Sequence, residues 1–184
     1  MKRLIKRMLN LALVACILVS LTACSNLLVT YKYFYFENIT SNLDEDYFTS
    51  DNFDFATVDS IVIIPNVKET DWGVYSLSIR AYSKTGEEKV VIKNATIKED
   101  KLLLNYDLNK QLEFEKKSDE LFEGKVDGYF DNVTFTEEQV EPAKGKRYEV
   151  IVGVEVVKDN KTTTKDIEFA LVGYDYKWLN LPTV

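Results

Sequence analysis

Arg147-Tyr148-Glu149-Val150-Ile151-Val152-Gly153-Val154-Glu155-Val156-Val157 and Thr162-Thr163-Thr164-Lys165-Asp166-Ile167-Glu168-Phe169-Ala170-Leu171-Val172 lie on either side of Asp159-Asn160. An Asp-Asn pair between two β-rich runs is a good two-residue hairpin turn. Pairing outward from it sets Val152 opposite Ile167, Val150 opposite Phe169 and Tyr148 opposite Leu171. The other face carries Glu149, Glu155, Thr162, Thr164, Asp166 and Glu168, with Ile151 and Val157 as exceptions. Because side chains alternate with a period of two, a slip of one residue would turn the whole apolar set toward water. Both runs select the same register, which predicts a hairpin buried on one side.

The same signals recur upstream. Leu27 to Phe36 is β-branched and aromatic, with Tyr31, Tyr33 and Tyr35 pointing one way and Lys32, Phe34 and Phe36 the other. It reads as a first strand covering the core, or else as an exposed aromatic docking surface. Val58 to Ile64 reads as an apolar run ended by Pro65-Asn66, and Val74 to Tyr82 sets Tyr75, Leu77, Ile79 and Ala81 on one face. Lys84-Thr85-Gly86 turns the chain into Lys89 to Ile92, and Leu102, Leu104, Tyr106 and Leu108 mark another alternating strand. Leu121 to Phe135 holds one or two short strands around Asp127-Gly128. Thr136-Glu137-Glu138-Gln139 has the capping-box pattern, but Pro142 limits any helix to about one turn.

Many short strands, no sustained 3.6-residue period and no long repeat predict an all-β fold. The expected architecture is an antiparallel β-sandwich, immunoglobulin-like, of seven to nine strands, with a small β-barrel as the alternative. Trp72 is the expected core aromatic, although the paired cysteines of antibody-type domains are missing.

Composition narrows the chemistry. The 184 residues contain no histidine, which excludes Ser-His and Cys-His triads, His-ligated zinc and imidazole acid–base catalysis. No Gly-x-Gly-x-x-Gly, Gly-x-x-x-x-Gly-Lys or Gly-x-Ser-x-Gly pattern occurs, so no cofactor is expected.

At the amino terminus, Lys2, Arg3, Lys6 and Arg7 precede the nearly apolar run Met8 to Leu21. That run is short of the roughly 20 apolar residues a membrane span needs and carries the flanks of a secretory signal. The Leu21-Thr22-Ala23-Cys24 that ends it resembles the lipobox of bacterial lipoproteins. The resemblance implies that residues 1–23 are removed and that Cys24 carries a diacylglycerol, with its new amino terminus often acylated as well. Two or more acyl chains anchor a protein stably. Ser25, in place of Asp, goes with outer-membrane sorting in Gram-negative members of that family.

The implied mature chain, residues 24–184, is expected to be one domain. It keeps 19 basic residues against 30 acidic ones, a net charge of −11. Such a body is repelled by nucleic acid and by anionic headgroups, so the acyl chains must do the membrane binding. Cys16 would leave with the signal and Cys24 would be acylated, so no thiol pair remains for a disulfide.

Few constellations rise above background. Residues 37–56 form an acidic, loop-like segment in which Phe48, Phe53 and Phe55 are expected to pin the chain to the body. Asp44, Asp46 and Asp51 there are a weak calcium candidate without the regular Asp-x-Asp-x-Asp-Gly spacing. Lys84-Thr85-Gly86 matches one motif of penicillin-recognising serine enzymes, but no Ser-x-x-Lys accompanies it, so it reads as a hairpin turn. Glu87-Glu88, Asp119-Glu120 and Glu137-Glu138 lie in polar turns, where carboxylates are solvated rather than held in the apolar pocket a catalytic acid requires.

The remaining candidates are Tyr174, Tyr176 and Trp178. Core positions up to Leu171 are odd-numbered and these three are even-numbered. Either Gly173 is a bulge that switches faces and puts the rings in the core, or the rings form an outward ladder able to stack on sugar rings or an extended peptide. The expected function is a non-enzymatic, lipid-anchored binding or envelope-associated module, exported and held at the cell envelope, with a protein or glycan ligand. A carboxylate-dependent hydrolase of cell-wall or host polysaccharide is the rival. A deep pocket with paired acids favours the rival, and a filled core with a flat aromatic patch favours the binder.

Overall fold

The computed structural model describes residues 28–37, 39, 51–119, 121–125 and 133–179; the side chains of residues 28, 29, 51, 52, 178 and 179 are outside the description. The chain divides into a larger compact unit, residues 33–174, and a smaller one, residues 1–32 with 175–184. The signal segment, Cys24 and the candidate ligands Asp44 and Asp46 lie outside the described residues, as do the side chains of Asp51 and Trp178.

The described strands are β1 (Leu28–Phe36), β2 (Thr57–Val58), β3 (Ile61–Asp71), β4 (Val74–Ser83), β5 (Lys89–Glu99), β6 (Leu102–Gln111), β7 (Glu113–Lys116), β8 (Phe122–Lys125), β9 (Val133–Thr136), β10 (Arg147–Lys158) and β11 (Lys161–Leu179). They form two antiparallel sheets, one ordered β1-β11-β10-β5-β6 and the other β2-β3-β4-β8-β7, with β9 also on β4. The fold is an antiparallel β-sandwich and not a closed barrel. Its eleven described strands exceed the seven to nine expected because short pieces such as β2, β7, β8 and β9 pair separately.

β10 and β11 take the expected register: Val152 faces Ile167, Val150 faces Phe169 and Tyr148 faces Leu171. All six are buried. Asp159 and Asn160 both have positive φ, 50° and 60°, which is the twist a two-residue hairpin turn needs. From the other sheet, Ile61, Ile63, Tyr75, Leu77, Ile79, Ala81, Val133 and Phe135 complete the main core. Phe34 packs edge-on against Tyr75 and Phe135, so β1 does cover the core with one face.

β5 contains a device that alternation alone conceals. Val90 and Ile92 are buried, then Ala95 and Ile97, so the inward parity changes between them. The pairing to β10 skips Lys93: Ile92 faces Val154, and Asn94 faces Gly153. Lys93 is thus a β-bulge. Gly153 leaves room there for the Asn94 side chain, whose amide oxygen stands 2.7 Å from where a Cβ would be and would have to swing aside.

Three expectations are corrected. Trp72 is 97 % exposed, not core: it occupies the two-residue tip between β3 and β4 with Gly73. Pro65 does not end its strand but sits within β3 opposite Ile79. β2 pairs only with Ile61 and Val62, so beyond them the outer side of β3 has no described partner to miss the proline N–H. Lys84-Thr85-Gly86 is not a hairpin turn, because β4 and β5 belong to different sheets; it is an arch between them.

Gly173 does not switch faces. The segment before β10 lies against it, with Pro142 Cα and Ala143 O each 2.9 Å from where a Cβ would stand. Its N–H donates to Lys146 O at 2.9 Å. Next to it the Tyr148 hydroxyl donates to Glu141 O at 3.0 Å and accepts from Glu141 N–H at 2.9 Å. This ties the start of β10 to the chain seven residues upstream, as a tyrosine corner does in immunoglobulin-like sandwiches. The Thr136 capping pattern forms too, Gln139 Oε1 accepting from Thr136 N–H at 2.9 Å within a single turn.

Candidate functional site

In the larger unit, the outer face of the five-stranded sheet is where rings meet solvent. Tyr33 and Tyr35 are 42 % and 44 % exposed, while Phe34 and Phe36 between and after them are 7 % and 6 % exposed. Alternation along β1 therefore serves both expectations: phenylalanines fill the core and tyrosines face out. Tyr33 lies against Tyr174 of β11, ring centroids 5.1 Å apart and tilted by 37°. Tyr174 is half-buried on the outward face rather than in the core.

The rest of that face follows from register. Tyr33 beside Tyr174 and Glu37 N–H donating to Ala170 O are four residues apart on each strand, so Tyr35 falls opposite Val172. Arg147 faces Val172 from β10, and Glu149 faces Ala170 from β10 and Lys98 from β5. Two rows run across the sheet: Tyr35, Val172, Arg147, and below it Glu37, Ala170, Glu149, Lys98. Arg147 ties the rows together through Glu37, at 2.5 Å, and Lys98 holds Glu149 at 2.8 Å. The Glu149 carboxylate raises the Lys98 ammonium above its ordinary value through that hydrogen bond.

Beside these rows is an open cleft of about 540 Å³ lined by Glu37, Phe55, Lys98, Arg147, Glu149 and Glu168, among others. Phe55 stands 41 % exposed at its wall, edge-on to Phe169 at 6.1 Å. It comes from the pair of 3-10 turns Asp51–Ala56, which meet at Phe53. Of the three phenylalanines expected to pin this segment, Phe48 lies outside the described residues, Phe53 is buried and Phe55 rests on Phe169.

Among the described residues, the two buried carboxylates lie elsewhere. Glu88 was expected to be solvated with Glu87; Glu87 is exposed, but Glu88 is 6 % exposed. The arch between β4 and β5 folds it inward, where it accepts from Ser83 Oγ at 2.5 Å and Thr85 Oγ1 at 2.9 Å and pairs with Lys158 at 3.3 Å. Burial pushes its carboxyl up, but the bonds from Ser83, its own backbone, Thr85 and Lys158 outweigh burial and hold it below the ordinary value.

Glu123, not singled out from sequence, is 9 % exposed on β8. It accepts from Tyr82 at 2.9 Å and pairs with Arg80 at 3.3 Å and Lys125 at 3.1 Å. Burial again opposes ionisation, and Tyr82 and Lys125 again prevail and lower it. Burial also pushes the Tyr82 hydroxyl up to about 12, so it remains a donor. A carboxylate held ionised in this way is no general acid, since proton donation to a leaving group needs a raised value.

Among the described residues no group of acidic or thiol side chains is placed to hold a metal. Comparison with known proteins finds no matching family model, no matching curated protein and no matching solved structure.

Proposed function

We propose that this protein is a lipid-anchored, non-enzymatic binding module of the bacterial envelope, acylated at Cys24. Its ligand face is the outer surface of the five-stranded sheet, where Tyr33, Tyr35 and Tyr174 meet the charged rows around Arg147. The observation that carries this is the alternation along β1: two tyrosines more than two-fifths exposed, each followed by a buried phenylalanine. Exposed tyrosines offer broad apolar faces with a polar tip, suited to stacking on sugar rings or along an extended peptide. The charged rows beside them fix the orientation of a polar ligand. The hydrolase alternative draws no support from Glu88 and Glu123, which are both held ionised away from the cleft.

The test has two arms. Cys24→Ala is expected to move the protein from the membrane fraction to the soluble fraction, and unchanged fractionation would refute the anchor. A glycan and peptide screen with the full-length protein should return a ligand whose binding falls at least tenfold in Tyr33→Ser/Tyr35→Ser, about 1.4 kcal/mol. A ligand that binds the double variant as well as the parent removes this face from consideration.

A further inference from the structure

The smaller unit behaves differently. Its described residues are 28–32 of β1 and 175–179 of β11, and the side chains of Thr30, Tyr31, Lys32, Tyr176 and Lys177 are all exposed. Tyr31 and Tyr176 stack on each other, centroids 5.2 Å apart and planes within 16°, yet remain 45 % and 39 % open to water. A two-stranded ribbon is marginal in water by itself.

Charge separates this unit from the other. After loss of residues 1–23, residues 24–32 and 175–184 carry two lysines against one aspartate, whereas residues 33–174 carry 17 basic against 29 acidic residues. A local excess of lysine within a strongly acidic protein marks the part that an anionic surface does not repel. Only Ser25, Asn26 and Leu27 separate Cys24 from β1. Four fully extended residue steps span about 14 Å, so the Leu28 Cα cannot lie farther than that from the Cα of the acylated cysteine. Tyrosine and tryptophan concentrate at the membrane–water boundary, and lysines there lay their stems on apolar matter while the ammonium stays in water.

Building on the acylation of Cys24 proposed above, we infer that the smaller unit is a membrane-contacting element. Its Tyr31–Tyr176 pair, with Lys32 and Lys177, lodges in the headgroup layer of an anionic bilayer next to the lipid anchor. The acyl chains supply the affinity; the ribbon adds contacts in the headgroup layer.

Tryptophan fluorescence tests this directly. The chain has two tryptophans, Trp72 and Trp178. Trp72 is nearly fully exposed on a hairpin tip, so Trp72→Phe leaves Trp178, two residues from Tyr176, as the reporter. The full-length lipidated Trp72→Phe protein is reconstituted in vesicles of phosphatidylcholine and phosphatidylglycerol, with and without brominated acyl chains. The expected result is flotation with the vesicles and a loss of Trp178 emission in the brominated ones. That loss should shrink when Tyr31→Ser, Tyr176→Ser, Lys32→Gln and Lys177→Gln are introduced together, while flotation persists. Flotation with Trp178 emission untouched by bromine overturns the membrane-contacting ribbon and leaves the anchor standing. Failure to float at all overturns the anchor itself and the ribbon with it.

Discussion

The two outward faces of the larger unit are built from the same kind of strand and finished in opposite ways. On the six-stranded sheet, Val62 and Ile64 of β3 and Tyr82 of β4 would be exposed by alternation, yet they are buried with Phe53 and Leu121 in a second small cluster. Chain from outside the sheet covers them, and the ionic group around Glu123 adjoins Tyr82. On the five-stranded sheet, Tyr33, Tyr35 and Leu103 remain open, and the spaces between are filled by ion pairs instead of chain. A protein able to roof one face with its own residues has left rings bare on the other. The covered face is therefore the one whose loss should cost stability, and the open face the one whose loss should cost binding.

Tyr82→Ala is the sharpest way to break that contrast. It empties a buried ring site and removes the donor to Glu123, so a loss of about 3 kcal/mol is expected. In a unit of this size that corresponds to a Tm lower by about 6–12 °C, measured by thermal unfolding. A Tm change under about 2 °C would mean the second cluster is a loose cover rather than structure.

The next effect is smaller and depends on pH. Glu123 and Glu88 have folded values lowered below the ordinary 4.5. A lowered carboxyl binds its proton less readily when folded, so its stabilisation is complete above the unfolded value of about 4.5 and is lost as pH falls through the lowered folded value. Glu123→Gln should cost about 1–3 kcal/mol at neutral pH, by leaving Tyr82 and Lys125 poorly matched. As pH falls below about 4.5 and through the lowered folded value, the parent loses its advantage and the two urea midpoints should converge. Midpoints that stay equally far apart at every pH would assign the effect to packing and not to charge.

How much of this contrast the sequence discloses depends on which physical rule is in play. Strict alternation and a two-residue turn determine the β10–β11 register and the split of β1 into phenylalanine and tyrosine faces, because both rules are local. The Lys93 bulge is invisible to alternation, since one unpaired residue reverses the parity of everything after it. Trp72 misleads because its size suggests the core, while Gly73 beside it, with φ of 68°, makes a hairpin tip. Glu123 is missed because its donor Tyr82 lies 41 residues away, on a neighbouring strand. Glu88 misleads although Ser83 and Thr85 stand only five and three residues before it, because the arch that turns it inward toward Lys158 has no signature in alternation. Gly173 was legible as a special position but not as this one, because the segment pressing on it comes from another part of the chain.

Arg147→Ala should have the least effect on stability. The guanidinium pairs with Glu37 across β11, with 62 % and 35 % of the two side chains exposed. Ion pairs this open contribute about 0–1 kcal/mol and are screened by salt. Neither the backbone pairing of Arg147 with Val172 nor the Glu37 N–H bond to Ala170 O depends on the side chain. The expected Tm loss is therefore under about 3 °C, and smaller still in high salt. Ligand binding should respond more strongly, because Arg147 and Tyr35 flank the same residue of β11 and removing a charge beside the rings alters the surface a polar ligand meets. A Tm loss rivalling that of Tyr82→Ala would show that the ion pairs of the open face are a roof of another kind. The asymmetry between the two faces would then be one of chemistry and not of purpose.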